Sequence, residues 1–448
     1  MFHVKRLRAL LVNPYIYDVS AYSFWSAPLG LLYVGGILRR NGMEVELVDL
    51  LRVDEAGRKP DGRAPFLRSR AAKPDAVSGL RKRFKRYGAP EAEVRALLGV
   101  AESPDLILVT CMMTYWYVGA REVIAMAREA FPRARVVLGG LYASLCREHA
   151  TETMGADLVI GVGEMGRLYR FLEEGFGIAL PFRPGENDLA LLPYPCFDLY
   201  EAPFFVPILT SLGCVHRCTY CATPYLRPLM VRRSAQSVLE EIRHWQGCGV
   251  KQFAIYDDSF LAEKEIYAKP LLRAAKSLCG TPSFHNPNAV NASMIDEEAA
   301  ELMKQAEFSE VRLGLETADA GLQRLTGGKV TRSVFEQAVR FLKQAGFHGQ
   351  EIRAYVLAGL PLQQAQEVRQ TIEYVATLGV QVNLAQYSPI PHTPLFEKCS
   401  HLARYPVATE PLFQNNSLFP FAWKGFSDED MDELKAYART VNSRTAAI

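Results

Sequence analysis

Three cysteines, Cys214, Cys218 and Cys221, stand close together in the stretch GCVHRCTYC. Cysteine thiolates bind soft metal centres, and three of them on one loop can hold a [4Fe-4S] cluster through three of its irons. The fourth iron then lacks a protein ligand and is free to bind a small molecule. The spacing therefore predicts an iron–sulfur centre with one open coordination position.

The same cysteines are also compatible with a zinc site or a redox dithiol. A structural zinc site normally takes four ligands, and His216 offers a fourth, but a second C-x2-C pair is missing. A redox dithiol needs only C-x-x-C, which Cys218 and Cys221 satisfy. Because the chain has nine cysteines, chance clustering is a further alternative. The position of the three cysteines after the first strand of a βα series favours the cluster.

The loop that carries these cysteines belongs to a half of the chain in which strands and helices alternate. Apolar runs predict six strands, at residues 207–212, 252–256, 282–286, 310–314, 352–358 and 380–386, with amphipathic segments between them. Six βα units fit a partial (β/α)6 TIM-like barrel, whose active site lies at the carboxyl ends of the strands. The cysteine loop follows the first of these strands.

The N-terminal part of the chain predicts a different α/β domain with a doubly wound parallel sheet. Its short apolar strands alternate with helices and end near Gly139, Gly140, Gly161 and Gly163. Glycine turns at the carboxyl ends of parallel strands are typical of the Rossmann-like architecture. We expect this domain over residues 1–177 with a basic insertion at about 52–100, a linker at 178–205, the barrel at 206–400 and a C-terminal extension at 401–448.

Composition and charge exclude several classes of protein. The chain has 448 residues, of which 49% are hydrophobic and 22% charged, values typical of a globular rather than a disordered or fibrous protein. Its formal charge of +2 does not indicate nucleic-acid binding. Residues 58–86 nevertheless carry 11 Lys or Arg against two Asp, which predicts either a solvated insertion or a cover for an anionic substrate.

The apolar runs and the cysteines of the sequence predict where in the cell the protein is located. No run approaches ~18 apolar residues, so we expect no membrane span. An odd number of cysteines without a secretory signal indicates reduced thiols in the cytoplasm. We expect the cysteines outside the cluster motif to be small buried hydrophobic residues: Cys111, Cys146, Cys196, Cys248, Cys279 and Cys399.

These motifs resemble those of the radical S-adenosylmethionine (SAM) superfamily. The cysteine stretch is similar to its C-x3-C-x-aromatic-C signature, and IYDDSF (255–260), RLGLET (312–317) and LAGLP (357–361) resemble its second-, fourth- and fifth-strand motifs. The resemblance implies that the amino and carboxylate groups of SAM chelate the open iron. One electron from the cluster would cleave the sulfonium to methionine and a 5′-deoxyadenosyl radical, which abstracts hydrogen from the substrate. It also implies a reducing donor of flavodoxin or ferredoxin type.

The resemblance assigns cofactor contacts near the cluster to three residues. Tyr220, in the aromatic position of the signature, would offer backbone contacts to adenine and shield the cluster. Asp257 and Asp258 would accept hydrogen bonds from the ammonium group of SAM, although they replace the usual Gly-Gly-Glu. Ordinary packing of Tyr220, and a helix or turn cap for the two aspartates, are the alternatives.

Three further contacts are implied on the fourth and fifth strands. Glu316 would accept from the ribose hydroxyls, with a surface ion pair as the alternative. Arg353 would pair with the methionine carboxylate in a bidentate manner, with a structural salt bridge as the alternative. Gly359 would let the backbone approach adenine closely, unless it only forms a strand-ending turn.

A doubly wound domain ahead of such a barrel resembles the cobalamin-binding subgroup of this superfamily. Residues 28–42, 136–145 and 160–164 resemble the equivalent stretches. Gly139, Gly140, Gly161 and Gly163 would let the cobalamin tail approach the sheet edge. Tyr115 and Trp116 would roof the corrin or touch the substrate, with domain packing as the alternative.

One cobalamin motif is absent. The D-x-H-x-x-G sequence that supplies a lower axial histidine in one class of cobalamin proteins does not occur in the chain, as is usual in this subgroup. Cobalamin binding would then depend on shape. Plain turn geometry at the glycines, or a vestigial domain that binds no corrin, are the alternatives.

The resemblance implies an enzyme with a [4Fe-4S] cluster, SAM and cobalamin. The reaction it suggests is methyl transfer to an unactivated carbon of an unknown substrate, in which one SAM remethylates the corrin and another yields the radical. An alternative is a radical SAM enzyme whose N-terminal domain binds only substrate and which catalyses cyclisation, rearrangement or oxidation. A zinc-stabilised module with a basic surface for RNA is a third hypothesis.

Overall fold

The computed structural model describes residues 6–100, 102–185, 187–278, 280 and 282–445. The chain divides into two compact units. The first comprises residues 1–203 together with 408–414, and the second comprises residues 204–407 together with 415–448. Residues 408–414, which the sequence placed in a C-terminal extension, therefore belong to the first unit. The linker predicted at 178–205 stays a prediction.

A five-stranded parallel sheet forms the centre of the first unit. Its strands are β1 (Arg8–Asn13), β2 (Glu44–Asp49), β3 (Leu106–Thr110), β4 (Arg135–Gly139) and β5 (Leu158–Val159). They lie in the order β5-β4-β3-β1-β2, and every neighbouring pair is parallel. All residues of β3 are buried, as expected for the central strand of a sheet covered on both faces. The predicted doubly wound fold is confirmed.

Helices connect these strands along the chain. The end of the first helix shows which residues terminate a helix here. They are α1 (Leu29–Arg40), α2 (Glu91–Val100), α3 (Tyr117–Ala130), α4 (Leu141–Leu145), α5 (Arg147–Thr153) and α6 (Met165–Phe176). Helix α1 presents eight buried residues to the core. It ends at Arg40 with Asn41 as its C-cap, and Gly42 follows with φ of +83°, a left-handed conformation that glycine adopts without strain.

The basic insertion is folded rather than extended into solvent. Its strand Lys85–Tyr87 pairs antiparallel with both Ile16–Asp18 and Arg68–Arg70. A hydrophobic cluster of Ile16, Leu51, Phe66 and Tyr87 anchors it to the unit. The segment is therefore an integral part of the first unit, with its edge strand Arg68–Arg70 exposed.

Six βα units make up the second unit. The strands are β6 (Phe205–Ile208), β7 (Gln252–Ile255), β8 (Ser283–His285), β9 (Val290–Asn291), β10 (Val311–Glu316), β11 (Ile352–Ala358) and β12 (Gln381–Gln386). Strands β6-β7-β8 and β9-β10-β11-β12 form two parallel sheets. Strands β8 and β9 are consecutive parts of the third βα unit, so the predicted partial (β/α)6 barrel is confirmed.

Besides the four-residue helix Thr223–Leu226, the helices of this unit are α7 (Ala235–Gly247), α8 (Ala268–Ala275), α9 (Glu297–Gln305), α10 (Ala320–Thr326), α11 (Arg332–Gln344), α12 (Ala365–Thr377), α13 (Pro394–Cys399) and α14 (Asp428–Thr445). Helices α10 and α13 have no counterpart among the amphipathic segments of the sequence. Helix α14 also closes the barrel edge at β12. The Asn442 side chain accepts from the Val382 N–H at 2.7 Å and donates to the Val382 carbonyl at 2.8 Å. This pairing occupies backbone groups that an edge strand otherwise leaves open.

Among the described helices, none is both long and apolar enough to span a membrane.

Candidate functional site

The cysteine loop lies between two short strands beyond the carboxyl end of β6. Ser211–Leu212 pairs antiparallel with Val231–Arg232 and closes the loop at its base. Gly213 has φ of +84°, and a Cβ there would lie 2.4 Å from the carbonyl oxygen of Leu229, so only glycine fits immediately before Cys214. Cys218 is buried, whereas Cys214 and Cys221 are partly exposed.

Two aspartates after β7 hold both ends of this loop. Asp257 is buried and accepts hydrogen bonds from the Thr210 N–H at 2.7 Å, the Ser211 hydroxyl at 2.7 Å and the Thr210 hydroxyl. Asp258 accepts from the Gly213 N–H at 3.1 Å and the Thr223 hydroxyl at 3.2 Å. One carboxylate therefore ties the residue before Cys214 to a residue just after Cys221.

This arrangement gives Asp257 a structural role. Its oxygens accept from Thr210 and Ser211, and burial raises the pKa of Asp257 above its ordinary value. It positions the strand end that leads into the loop, while its contact with the ammonium group of SAM stays a prediction. The contact predicted for Asp258, whose side chain is exposed, stays a prediction.

The immediate surroundings of the sulfur atoms fit an iron–sulfur cluster. The His216 N–H donates to Cys214 Sγ at 3.4 Å, and the Thr223 N–H donates to Cys221 Sγ at 3.5 Å. Hydrogen bonds of this kind stabilise thiolate ligands and tune the potential of the cluster. The structure thus offers three cysteines on one loop with donors already directed at two of them.

A single-ion site fits these residues less well. The Nε2 atom of His216 contacts the side-chain amide of Asn291, so this nitrogen is engaged. Within the described parts of the chain, no three His, Cys, Asp or Glu side chains converge on a point where one metal ion would bind. A cluster requires no such convergence, because each thiolate binds a different iron.

A buried ion pair lies beside the loop. Oε1 of Glu316 is 2.7 Å from Nζ of Lys329, and the two side chains are only 10% and 16% exposed. Glu316 has φ of +66° and stands at a shift in the register between β10 and β11. A non-glycine residue in this conformation is strained and persists only where its surroundings hold it. The irregular end of β10 therefore places this carboxylate beside Lys329.

Lys329 joins this pair to the cysteine motif. It donates to the hydroxyl of Tyr220 at 3.2 Å. Burial alone would lower the pKa of Lys329, but the negative charge of Glu316 and the neighbouring cysteines raise it above its ordinary value. Lys329 is therefore a cation under the conditions in which the enzyme would act.

Sequence reasoning missed Lys329. It lies beyond helix α10 from Glu316, and nothing in the spacing of the two residues indicates a contact. The adjacent glycines were the available signal, because Gly327 has φ of +127° and a Cβ there would lie 3.1 Å from Cα of Cys218. The structure brings Tyr220, Glu316 and Lys329 together, while the contacts predicted from Tyr220 and Glu316 to SAM stay predictions.

The contacts of Arg353 favour the structural salt bridge over a contact with the methionine carboxylate. Arg353 is the second residue of β11, at the amino end of the strand, where its Nε donates to Glu310 at 2.9 Å. The carboxyl end at Ala358 is about 17 Å further along, at roughly 3.3 Å per residue. Glu310 also pairs with Arg312, and the contact with the methionine carboxylate stays a prediction.

The local structure explains why position 359 is glycine, without a cofactor. Its φ is +87°, and a Cβ there would lie 2.7 Å from the ring of Phe419. Its N–H donates to the side chain of Gln363 at 2.8 Å. The strand-ending turn explains this glycine, and a contact with adenine stays a prediction.

The glycines at the carboxyl edge of the first unit differ in what constrains them. Gly140 has φ of +101°, and a Cβ there would lie 2.4 Å from the carbonyl oxygen of Cys111. At Gly161 a Cβ would lie 2.8 Å from the Arg147 guanidinium, and Gly163 has φ of +93°. At Gly139 there is room for a side chain, since an added Cβ would meet nothing closer than Ile160 at 3.8 Å. Approach of a cobalamin tail to these glycines stays a prediction.

Tyr115 and Trp116 pack within the first unit. Tyr115 is buried, and burial raises its pKa. The indole N–H of Trp116 donates to Asp18 at 2.8 Å, and its ring packs against the hydrophobic cluster of the insertion. These contacts favour the packing interpretation over a roof for the corrin.

Two other residues at this edge fit a large ligand better. Met113 and Leu141 follow the carboxyl ends of β3 and β4, and their side chains are 40% and 38% exposed. Cofactor sites are mostly apolar, so these two side chains would offer a corrin an apolar contact at the carboxyl edge of this sheet. Met113 lies in the stretch CMMTYWYVG, from which the sequence analysis had chosen Tyr115 and Trp116 as the candidate contacts.

The expectation for the other cysteines holds only in part. Three are buried, Cys146 is partly buried and Cys248 is exposed. Burial is therefore the wrong prediction for Cys248, which lies at the end of α7. Cys279 lies outside the described residues.

Two family models match the chain. Residues 208–375 match the radical SAM superfamily and residues 91–167 match the B12 binding domain. The chain contains a radical SAM domain and a B12 binding domain. As a radical SAM enzyme with a B12 binding domain, it uses a [4Fe-4S] cluster, SAM and cobalamin. The family and cofactors predicted from the motifs are confirmed.

Relatives of this radical SAM enzyme cover both units. Cytidylyl-2-hydroxyethylphosphonate methyltransferase of Streptomyces wedmorensis is 23% identical over 88% of this chain and 81% of its own. The structure of the radical SAM methyltransferase TsrM of Kitasatospora setae with cobalamin and a [4Fe-4S] cluster bound has a TM-score of 0.67 at 19% identity, covering 96% of this chain and 91% of that chain.

A second TsrM structure, with tryptophan substrate and a SAM analogue, has a TM-score of 0.65 at 19% identity and covers 91% of this chain and 83% of that chain. The likeness to both TsrM structures shows that the fold is shared. The two domain matches and the sequence match to a methyltransferase, and not the fold alone, relate this chain to cobalamin-dependent radical SAM methyltransferases.

Proposed function

We propose that the enzyme transfers a methyl group from SAM to an unactivated carbon atom of an organic substrate, with cobalamin as the methyl carrier. The observation that carries the proposal is the presence of two sites in one chain. One is the cysteine loop with its hydrogen-bonded sulfur atoms, and the other is the carboxyl edge of a B12 binding sheet that exposes Met113 and Leu141. Similarity to a methyltransferase over 88% of the chain supports it.

The chain's own residues bind and orient the cofactors. When bound, the cluster and SAM supply activation of a C–H bond and cobalamin carries the methyl group. Cys214, Cys218 and Cys221 hold the cluster, while Asp257 and Asp258 position their loop. Fixed positions of this kind lower the cost of bringing reacting groups together.

The buried pair provides two charges for one zwitterionic cofactor. Glu316 offers carboxylate oxygens to the ribose hydroxyls, as its motif implies, and Lys329 offers an ammonium group to the methionine carboxylate in place of Arg353. Because each holds the other in position at 2.7 Å, both charges are preorganised before SAM enters.

Apolar residues protect the same region from water. Tyr220 packs against a hydrophobic cluster made of Leu357, Leu360, Tyr387, Cys399 and Phe421. Radical chemistry needs a site from which water and oxygen are excluded, because they would consume a reactive intermediate before it reached the substrate. The cluster also requires a one-electron donor of flavodoxin or ferredoxin type and reduced thiolates, which assigns the enzyme to the reducing cytoplasm.

Anaerobic reconstitution tests the proposal. The protein is loaded with iron, sulfide and hydroxocobalamin, desalted, and incubated with SAM carrying a CD3 group and a pool of small-molecule acceptors. We expect about four irons per chain, retained corrin absorbance, and CD3 transfer to a product detected by mass spectrometry. A reconstituted cluster without corrin uptake would overturn the methyl-carrier role. Formation of 5′-deoxyadenosine with substrate conversion but no CD3 transfer would favour cyclisation, rearrangement or oxidation.

A further inference from the structure

Large apolar side chains are exposed around the cysteine loop. Val215 lies within the loop, Tyr225 and Leu229 follow it, and all three side chains are at least 49% exposed. Leu325 is 64% exposed and belongs to a neighbouring segment, and its carbonyl accepts a hydrogen bond from the Thr219 hydroxyl at 2.9 Å. These four side chains, which we call the loop surface, all stand on segments that carry or contact the metal-binding loop.

The charge of the same segments is of one sign. Residues 213–230 and 320–329 contain four Lys or Arg and no Asp or Glu. Lys329 is paired with Glu316, but Arg217 and Arg324 are exposed. The adjoining acids are engaged by backbone groups: Asp258 accepts from the Gly213 N–H, and Asp319 accepts from the Leu322 N–H. The segments that carry the loop surface therefore combine exposed apolar side chains with a net positive charge.

We propose that the loop surface is the docking site of an acidic one-electron carrier protein that reduces the cluster. This rests on the reductive chemistry within the proposed function, but not on methyl transfer. An electron passes quickly only over a short distance, so a carrier must reach the surface nearest the cysteine ligands. Apolar residues at the centre and charged residues at the rim are the usual anatomy of a protein interface, and opposite charge steers such partners together.

Two charge-introducing variants test the docking site in the reconstituted full-length enzyme. Leu325→Glu and Arg324→Glu are compared with Leu191→Glu, a matched control at another exposed leucine. The rate of 5′-deoxyadenosine formation is measured with a reduced acidic flavodoxin and, separately, with dithionite. With flavodoxin we expect the KM for the carrier to rise at least tenfold in the two variants and to stay unchanged in Leu191→Glu. With dithionite all rates should stay within twofold of the unaltered enzyme.

Added salt gives a second readout. The KM for flavodoxin of the unaltered enzyme should rise with ionic strength, because salt screens exposed charges, and this dependence should weaken in Arg324→Glu. An unchanged KM for flavodoxin in both variants would overturn the docking site.

A loss of rate with both reductants at normal iron content would also overturn it, since the surface would then serve another step such as substrate binding. If iron content falls in Leu325→Glu, the uncharged Leu325→Ala replaces it, and a carrier-specific rise in KM is again the required result. Failure of the unaltered enzyme to cleave SAM with either reductant would contradict the proposed function itself.

Discussion

The ammonium group of Lys329 lies 2.7 Å from a carboxylate oxygen of Glu316, and both side chains are largely buried. Removing one member of a buried pair leaves the other charge uncompensated in a region of low dielectric, at a cost of about 3–5 kcal/mol. The pair also contacts Tyr220 of the cysteine motif through Lys329. A change at this position should therefore affect both the stability of the fold and the surroundings of the cysteine motif.

Replacement of Lys329 should affect both properties. We expect Lys329→Gln to lower the free energy of unfolding by about 3 kcal/mol and to raise the KM for SAM, because Glu316 is left buried and unpaired. Lys329→Arg keeps the charge and should lose less of both. Anaerobic urea denaturation and SAM-dependent kinetics measure the two effects.

Lys435 provides the control for that experiment. It is partly exposed and its Nζ is 3.9 Å from Asp432, so Lys435→Gln should change stability by less than about 1 kcal/mol. Equal unfolding free energies for Lys329→Gln and Lys435→Gln would contradict a stabilising role for the buried pair.

Asp258 should determine how firmly the cysteine loop holds its cluster. Asp258→Ala removes the carboxylate that accepts hydrogen bonds from the Gly213 N–H and the Thr223 hydroxyl. These two hydrogen bonds together stabilise the loop by about 1–3 kcal/mol. Loss of iron to a chelator should then be about tenfold faster, since ~1.4 kcal/mol corresponds to a factor of ten. Asp258→Asn keeps one oxygen, so its rate of iron loss should lie between those of the unaltered enzyme and Asp258→Ala. If Asp258→Ala releases iron at the normal rate, Asp258 does not hold the loop in place.

The three motif cysteines should differ sharply from the exposed one. Alanine at Cys214, Cys218 or Cys221 should reduce reconstituted iron from about four per chain to near zero and abolish 5′-deoxyadenosine formation. Cys248→Ala is the matched control because that thiol is exposed at the end of α7, and it should keep full iron content. Normal iron in any of the motif variants would show that the cysteine concerned is not a ligand.

Gly139 and Gly140 allow stability to be separated from cobalamin binding. Gly140→Ala introduces a side chain at φ of +101° against the Cys111 carbonyl, so unfolding should become easier by about 1–3 kcal/mol or more. Gly139→Ala meets only Ile160 at 3.8 Å and should change stability by about 0.5 kcal/mol or less. Corrin absorbance after desalting should nevertheless fall in Gly139→Ala if the cobalamin tail packs there, and unchanged retention would remove Gly139 from the cofactor site.

Local patterns in the sequence predicted most of the architecture and the candidate cluster ligands. Hydrophobic periodicity reflects which face of an element is buried, so six strands of the second unit could be located from neighbouring residues alone. The two-residue strand β9 and the helices α10 and α13 were not predicted. The cysteine motif is equally local, because Cys214, Cys218 and Cys221 lie within eight consecutive positions. The predicted strand also already placed Arg353 at its amino end.

Contacts between distant parts of the chain were decided only by the tertiary structure. Asp258 meets Gly213 because β7 ends beside β6, and Lys329 meets Glu316 because the chain returns after helix α10 to the irregular end of β10. Residues 408–414 likewise join the first unit, although more than two hundred residues separate them from its main segment. Such contacts depend on how helices and strands pack against each other, and they cannot be inferred from charge or spacing along the chain. The sequence by itself thus determined the chemistry that the protein can hold, whereas packing decided which side chains surround it.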